Sequence, residues 1–105
     1  MLRFETISSE QLDQLVGNPH VEIVDVRKPE EYRKEHISGA INIPYEQLKK
    51  NDVLKKTKLL VFYCTHGGTG LLAAKEFFDK GFVVKALVGG IEGYHGNNKV
   101  FDRSR

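Results

Sequence analysis

The spacing of hydrophobic positions along this chain changes repeatedly, from runs that suit a strand to stripes that suit a helix. Phe4 to Ile7 reads as a short edge strand. Ser8 and Gln11 then stand at capping-box spacing, with Ile7 and Leu12 placed as a hydrophobic staple around them, so a helix begins here. Leu12, Leu15 and Val16 mark one helical face, and Gly17 suits the left-handed residue that ends a helix. Val21 to Val26 is rich in β-branched residues and apolar except at Glu22 and Asp25, which predicts a strand. Pro29 fits the first turn of a second helix. Glu30 and Glu31 fall near its positive end, and Arg33, Lys34 and His36 fall at the other.

"AINIP", Ala40 to Pro44, reads as a brief strand stopped at the proline, and Tyr45 to Lys50 as a short helix. "LLVFYC", Leu59 to Cys64, is a continuous apolar run, the pattern of a strand covered on both faces. Leu71, Ala74 and Phe78 then share a helical stripe, with Ala73 and Phe77 beside it and Gly81 closing the helix. Phe82 to Val88 supplies a further buried strand, and Gly89-Gly90 turns the chain into a last short helix at Ile91 to Tyr94.

Five strands alternating with helices predict an α/β fold, an open and mainly parallel sheet with helices on both faces. The whole chain, 1–105, is read as one domain ending in a short flexible tail from about residue 98. In sheets of this kind ligands sit outside the carboxyl ends of the strands, and Cys64 lies at one of those ends.

Composition narrows the function classes. With 40% hydrophobic and 29% charged residues, the chain has the balance of a soluble globular protein. A net charge of +2, with basic and acidic residues intermixed, gives no reason to expect a nucleic-acid partner. The terminal Arg103-Ser104-Arg105 reads as a solvated end. No window approaches membrane-spanning length, and the amino-terminal "MLRFETISSE" lacks the apolar stretch of a signal peptide. The single cysteine forms no internal disulfide, so a cytoplasmic protein is expected.

That cysteine opens the segment "CTHGGTG", Cys64 to Gly70. Gly67, Gly68 and Gly70 let the backbone curl tightly, and a curled loop entering a helix points successive amides at a common centre. A thiolate at the rim of such a nest is stabilised, and so is an anionic adduct formed on it. The plain alternative is a buried cysteine acting as a small hydrophobe before an ordinary strand-to-helix turn. His66 is placed either as a base or as a solvent-facing loop residue. Thr65 and Thr69 are placed to donate to an anion, or to serve as turn and cap residues.

Two separated stretches resemble the single-domain rhodaneses, or sulfurtransferases. The first is "VDVRKPEEYRKEHISGAINIP", Val24 to Pro44, which resembles the family's Asp-x-Arg strand end and its His-Ile-x-Gly-Ala-x-Asn-Ile-Pro segment. The second is "VFYCTHGGTG" with "VVKALVGGIEGY" after it, similar to the active loop and the Gly-Gly turn beyond the last strand. The resemblance implies that Cys64 accepts the outer sulfur of a donor as a persulfide and passes it to an acceptor. By the resemblance, the donor would be thiosulfate, polysulfide or a persulfide-carrying protein, and the acceptor cyanide or a thiol. It implies no metal or organic cofactor. Thr65, His66, Gly67, Gly68, Thr69 and Gly70 would bind the substrate through amides and hydroxyls. Asp25 and Arg27 would brace the loop or add positive field, or serve only as a structural pair, and His36 is read as structural. A monomer is expected.

One departure bears on substrate. Many members carry an arginine five places after the cysteine, and here that place is Thr69. A dianion such as thiosulfate would meet neutral donors only, so weak thiosulfate binding is expected. The same gap counts against a cysteine phosphatase, whose loop needs a bidentate arginine. A non-catalytic binding or regulatory module is the other alternative. Relatives often carry a tryptophan after the Gly-Gly turn; this chain has none, and Tyr94 stands in that region.

Overall fold

The computed structural model describes residues 4–50 and 52–101. Along the chain run β1 (Glu5–Ile7), α1 (Ser9–Leu15), β2 (Val21–Asp25), α2 (Pro29–Lys34), β3 (Glu35–Ile37) and β4 (Ile41–Asn42). A 3-10 helix at Tyr45–Lys50 follows, then β5 (Leu59–Tyr63), α3 (Gly68–Asp79), β6 (Val83–Leu87), a 3-10 turn at Ile91–Gly93 and β7 (Lys99–Phe101).

Five strands pair in parallel in the order β1-β6-β5-β2-β4, so all their carboxyl ends lie along one edge of the sheet. The connection from β2 runs outward to β4, and the chain then returns to β5 on the other side of β2. Strand order therefore reverses between β2 and β5, and Cys64 follows β5 at that crevice, where such sheets place their ligands.

Alternation along β5 feeds two cores. Leu60, Phe62 and Cys64 pack with Ala73, Ala74 and Phe77 of α3. Val61 and Tyr63 point to the opposite face, against Leu12 of α1 and Ile37. Leu12, Leu60 and Phe62 are wholly buried, and each such side chain contributes about 1.5–3 kcal/mol through the surface it removes from water. The α/β sheet with helices on both faces is as the pattern predicts.

The capping box at Ser8 and Gln11 forms, each side chain bonding the other's backbone N–H. Helix α1 ends at Leu15, and Gly17 adopts φ 86°. Pro29 opens α2 as expected. Most strands are a residue shorter at one end than the apolar runs suggest, because pairing ends before the hydrophobic pattern does.

Two elements differ from the sequence reading. His36 does not cap a helix end but lies in β3. The flexible tail expected from about residue 98 does not hold for 99–101, which pair antiparallel with β3 in the register Glu35↔Phe101, His36↔Val100 and Ile37↔Lys99. The cause is a lock on α1: Asp13 accepts hydrogen bonds from the Tyr94 hydroxyl, the Asn97 amide and the Asn98 side chain. The Tyr94 oxygen in turn accepts the Asn98 amide at 2.7 Å. A polypeptide held at residues 94, 97 and 98 has little freedom left, and β7 follows onto the edge of β3. Arg103-Ser104-Arg105 lies outside the described residues.

Candidate active site

Cys64 ends the central strand with its side chain turned toward the α3 side of the sheet. The residue is 7% exposed, and its Sγ accepts a hydrogen bond from the Gly67 amide at 3.1 Å. Gly67, the residue that caps α3, has φ 116°, which lets the chain reverse within three residues and bring its own N–H back onto the sulfur. The first intrahelical bond of α3 runs from the Leu71 amide to the Gly67 carbonyl. The amides of Gly68, Thr69 and Gly70 thus have no partner within the helix. No acidic side chain stands in that first turn, so the positive end of the helix dipole is not neutralised locally.

Gly70 has a different reason to be glycine. A Cβ there would lie 3.0 Å from the Tyr63 Cα and 3.2 Å from the Cys64 nitrogen, so only a bare backbone lets the first turn of α3 press onto the end of β5. Thr65 and Thr69 are half-buried, and their hydroxyls bond to no described residue. His66 is exposed, its ring likewise bonded to no described residue.

Beside the loop, at the end of β2, Asp25 is fully buried and Arg27 is 8% exposed. The Arg27 guanidinium donates to both oxygens of Asp25 and also to the Glu35 carbonyl at 2.6 Å. Burial works against the arginine's charge, but the bonds and attraction of Asp25 outweigh it, and the pKa of Arg27 lies above its ordinary value. The Tyr63 ring lies 5.8 Å from the guanidinium, and its oxygen accepts the Ile37 amide at 3.0 Å. Burial first, then the nearby Asp25 charge, push the Tyr63 pKa far above the usual phenol range, so the side chain stays neutral.

The turn after β6 closes over the loop from the other side. The Ile91 amide donates to the Cys64 carbonyl and the Glu92 amide to the Thr65 carbonyl, each at 2.9 Å. Two grooves flank this assembly, each of about 390 Å³. One is charged and runs from Arg27, Glu31, Lys34 and Glu35 to Thr65, Glu92 and Phe101. The other is largely apolar and runs from Thr6 and Ala86 through Val88 to Leu71, with His66, Gly67, Gly68 and Gly89 on its wall.

The chain as a whole finds its match in known proteins. The model of the rhodanese-like domain family matches residues 8–97. This chain is a member of that family. A tRNA sulfurtransferase from Desulfurococcus amylolyticus is 38% identical over 82% of this chain, although the chain spans only 17% of that protein's length. The thiosulfate sulfurtransferase GlpE of Coxiella burnetii is 27% identical, with 99% of both chains covered. A rhodanese-related protein from Thermoplasma volcanium has the same fold at a TM-score of 0.84, with 25% identity over 92% of this chain and 98% of that one.

In this rhodanese-like domain the structure brings Cys64, Thr65, Gly67, Gly68, Thr69 and Gly70 into one arc, with Asp25 and Arg27 on the neighbouring strand end. His66 belongs to the same loop but is turned to solvent and makes no bond to Cys64. His36 stacks on Tyr32 with ring centroids 3.8 Å apart, and its Nδ1 donates to the Tyr32 carbonyl at 2.8 Å, a contact away from the cysteine.

Sequence reasoning missed three groups that shape the site. Tyr63 carries a hydroxyl inside an otherwise apolar strand, and that polar atom was the available signal. Asn42 donates to the carbonyls of Asp25 and Arg27 at 3.0 Å each, a role that nothing local in its segment announces. The amides of Ile91 and Glu92 are backbone groups, and only the preceding Gly-Gly pair hinted at a close approach. No group of three or more His, Cys, Asp or Glu among the described residues is arranged to hold a metal. No helix among the described residues is long and apolar enough to cross a membrane.

Proposed function

We propose that this rhodanese-like domain is a sulfurtransferase that carries sulfur as a persulfide on Cys64. The observation that supports the reading best is the Gly67 amide bonded to Sγ, in a glycine arc that opens a helix free of acidic side chains in its first turn. A thiolate there attacks the outer sulfur of the donor and forms a new S–S bond. The donor's own bond to that sulfur breaks, and the electron pair leaves with the departing group, sulfite in the case of thiosulfate. The persulfide is an anion, and the amides at the start of α3 together with the hydroxyls of Thr65 and Thr69 are placed to hold it. The acceptor, cyanide or a thiolate, attacks the terminal sulfur, and Cys64 departs as the thiolate that began the cycle. Every electron pair is accounted for without a metal, an organic cofactor or a second cysteine.

Arg27 is tied to Asp25 and Glu35 through its Nε and Nη2, and the loop from Thr65 to Gly70 carries no permanent cation of its own. The proposed donor is therefore a polysulfide or a protein persulfide in preference to thiosulfate, and the reducing cytoplasm is the compartment in which a lone thiol stays available. The test is steady-state sulfur transfer to cyanide and to a small thiol from thiosulfate, polysulfide and a protein persulfide, with Cys64→Ser as control. Cys64-dependent turnover, fastest with the latter two donors, is expected. Absence of turnover with all three would reject the enzyme reading in favour of a binding module.

A further inference from the structure

Gly90 lies outside the cysteine loop, yet its backbone touches the loop more closely than any other glycine does. A Cβ placed on it would sit 2.5 Å from both the Cys64 and the Thr65 carbonyl oxygens. Its backbone, at φ 63° and ψ −163°, is also in a region open essentially to glycine alone. Gly89, by contrast, meets only the Gly93 Cα, at 3.5 Å. The turn reaches the middle of the arc as well, because a Cβ on Gly67 would lie 3.4 Å from the Gly89 nitrogen.

These contacts have an electrostatic result. Peptide planes are rigid and trans, so fixing a carbonyl fixes the opposite direction for the N–H of the next residue. The Ile91 and Glu92 amides pull the Cys64 and Thr65 carbonyls toward the 3-10 turn. The amides of Thr65 and His66 are thereby turned the other way. The turn thus keeps two partial negative charges of the loop occupied and held on its own side.

We propose that Gly90 is a positioning residue for Cys64: its bare backbone lets the Ile91–Gly93 turn seat against the loop and hold it in the shape that delivers the Gly67 amide to the sulfur. The proposal deepens the sulfurtransferase reading and rests on it for function, but it makes a separate statement about the reactivity of the thiol.

The experiment compares Gly90→Ala with Gly96→Ala. Gly96 is a control for crowding elsewhere: its added Cβ would press on the side chains of Asp13 and Tyr94, in the lock on α1 and not in the cysteine loop. Both variants are expected to unfold at lower temperature than the wild type. Alkylation of Cys64 by iodoacetamide, a neutral probe, and persulfide formation with polysulfide are measured by intact mass on fully folded samples. Gly90→Ala is expected to be slower by about tenfold or more in both, the scale of losing aligned donors at a reacting atom. Gly96→Ala is expected to keep the wild-type rates. Wild-type rates in folded Gly90→Ala, or equal losses in both variants, overturn the proposal. If Gly90→Ala does not fold, Glu92→Pro removes the N–H that meets the Thr65 carbonyl and sets the proline ring against that oxygen, which pushes the turn off the loop from a position whose side chain is exposed. Slower alkylation of that folded variant supports the proposal, and an unchanged rate overturns it. Should wild-type protein form no persulfide at all, the sulfur-transfer reading fails, and the alkylation comparison still decides the role of Gly90.

Discussion

Asp25 and Arg27, two residues apart, form an ion pair at the buried end of β2, with donor distances of 2.9 to 3.2 Å to both carboxylate oxygens. The Arg27 amide also donates to the Asp25 carboxylate at 2.8 Å, and Asn42 ties down the carbonyls of both residues. Each charge is held in place by the other and by backbone. The pair joins three stretches of chain beside the cysteine loop: the end of β2, the start of β3 and the end of β4.

Removing one partner leaves the other charged and buried. Arg27→Leu is expected to cost about 3–5 kcal/mol, the usual penalty for an orphaned buried charge. The exposed pair Lys75–Asp79 on α3, at a similar 2.8 Å, is expected to lose no more than about 0.5 kcal/mol in Lys75→Ala. Urea unfolding of the two variants checks the contrast. Similar losses would mean that burial is not what gives the Asp25–Arg27 pair its weight.

Tyr63 holds β3 to the main sheet through one bond to the Ile37 amide, and both residues are wholly buried. Tyr63→Phe keeps the packing but strands that N–H, at an expected cost of about 1–3 kcal/mol. Faster hydrogen exchange of the Ile37 amide, with little change elsewhere in β5, is the local signature.

The lock on α1 makes stability depend on pH with a defined sign. Burial alone would raise the Asp13 pKa, but hydrogen bonds from Tyr94, Asn98 and Asn97 outweigh it, and the carboxyl lies below its ordinary value. Its contribution is therefore complete above the unfolded-state value of about 3.9 and fades as pH falls through the lower folded value. Asp13→Asn is expected to be clearly less stable than wild type at neutral pH, with the difference shrinking in acid. His95 has the opposite sign. The Glu10 carboxylate, then the Gly93 carbonyl, raise its pKa, so its contribution is complete below about 6.5 and lost as pH rises through the folded value. Both His95 and Glu10 are exposed, which keeps the effect small. Urea unfolding across the pH range, with an NMR titration of His95, measures both.

Under the proposed sulfur transfer, the uncharged Thr69 in the first turn of α3 gives a dianionic donor no charge-assisted bond. Thr69→Arg is expected to raise kcat/KM for thiosulfate roughly tenfold, the gain from replacing a neutral donor by a charge-assisted one. The rate with polysulfide should change far less. An unchanged thiosulfate rate would show that the missing charge is not what limits that donor.

Much of this was legible in the sequence because it is local. The Ser8–Gln11 cap, the unbroken apolar run into Cys64 and the glycines before α3 all state their conformations within a few residues. The β3–β7 pairing was not legible, since it depends on Asp13 meeting Tyr94, Asn97 and Asn98 across 81 to 85 positions of chain. The short Glu35–Ile37 segment also directly continues a helix, and its cationic lead-in reads as a helix end. In the site, the loop residues announced themselves through Cys64 and the glycines. The groups that aim the loop did not, because Ile91 and Glu92 act through backbone N–H groups, and Asn42 acts from a strand two places removed from β5 in the sheet.

Whether Cys64 carries sulfur is read from the intact mass of the wild-type protein after brief exposure to polysulfide. A gain of one sulfur atom is expected, absent in Cys64→Ser and reversed on adding cyanide. A wild-type mass that stays unchanged while Cys64 remains open to alkylation would contradict the account.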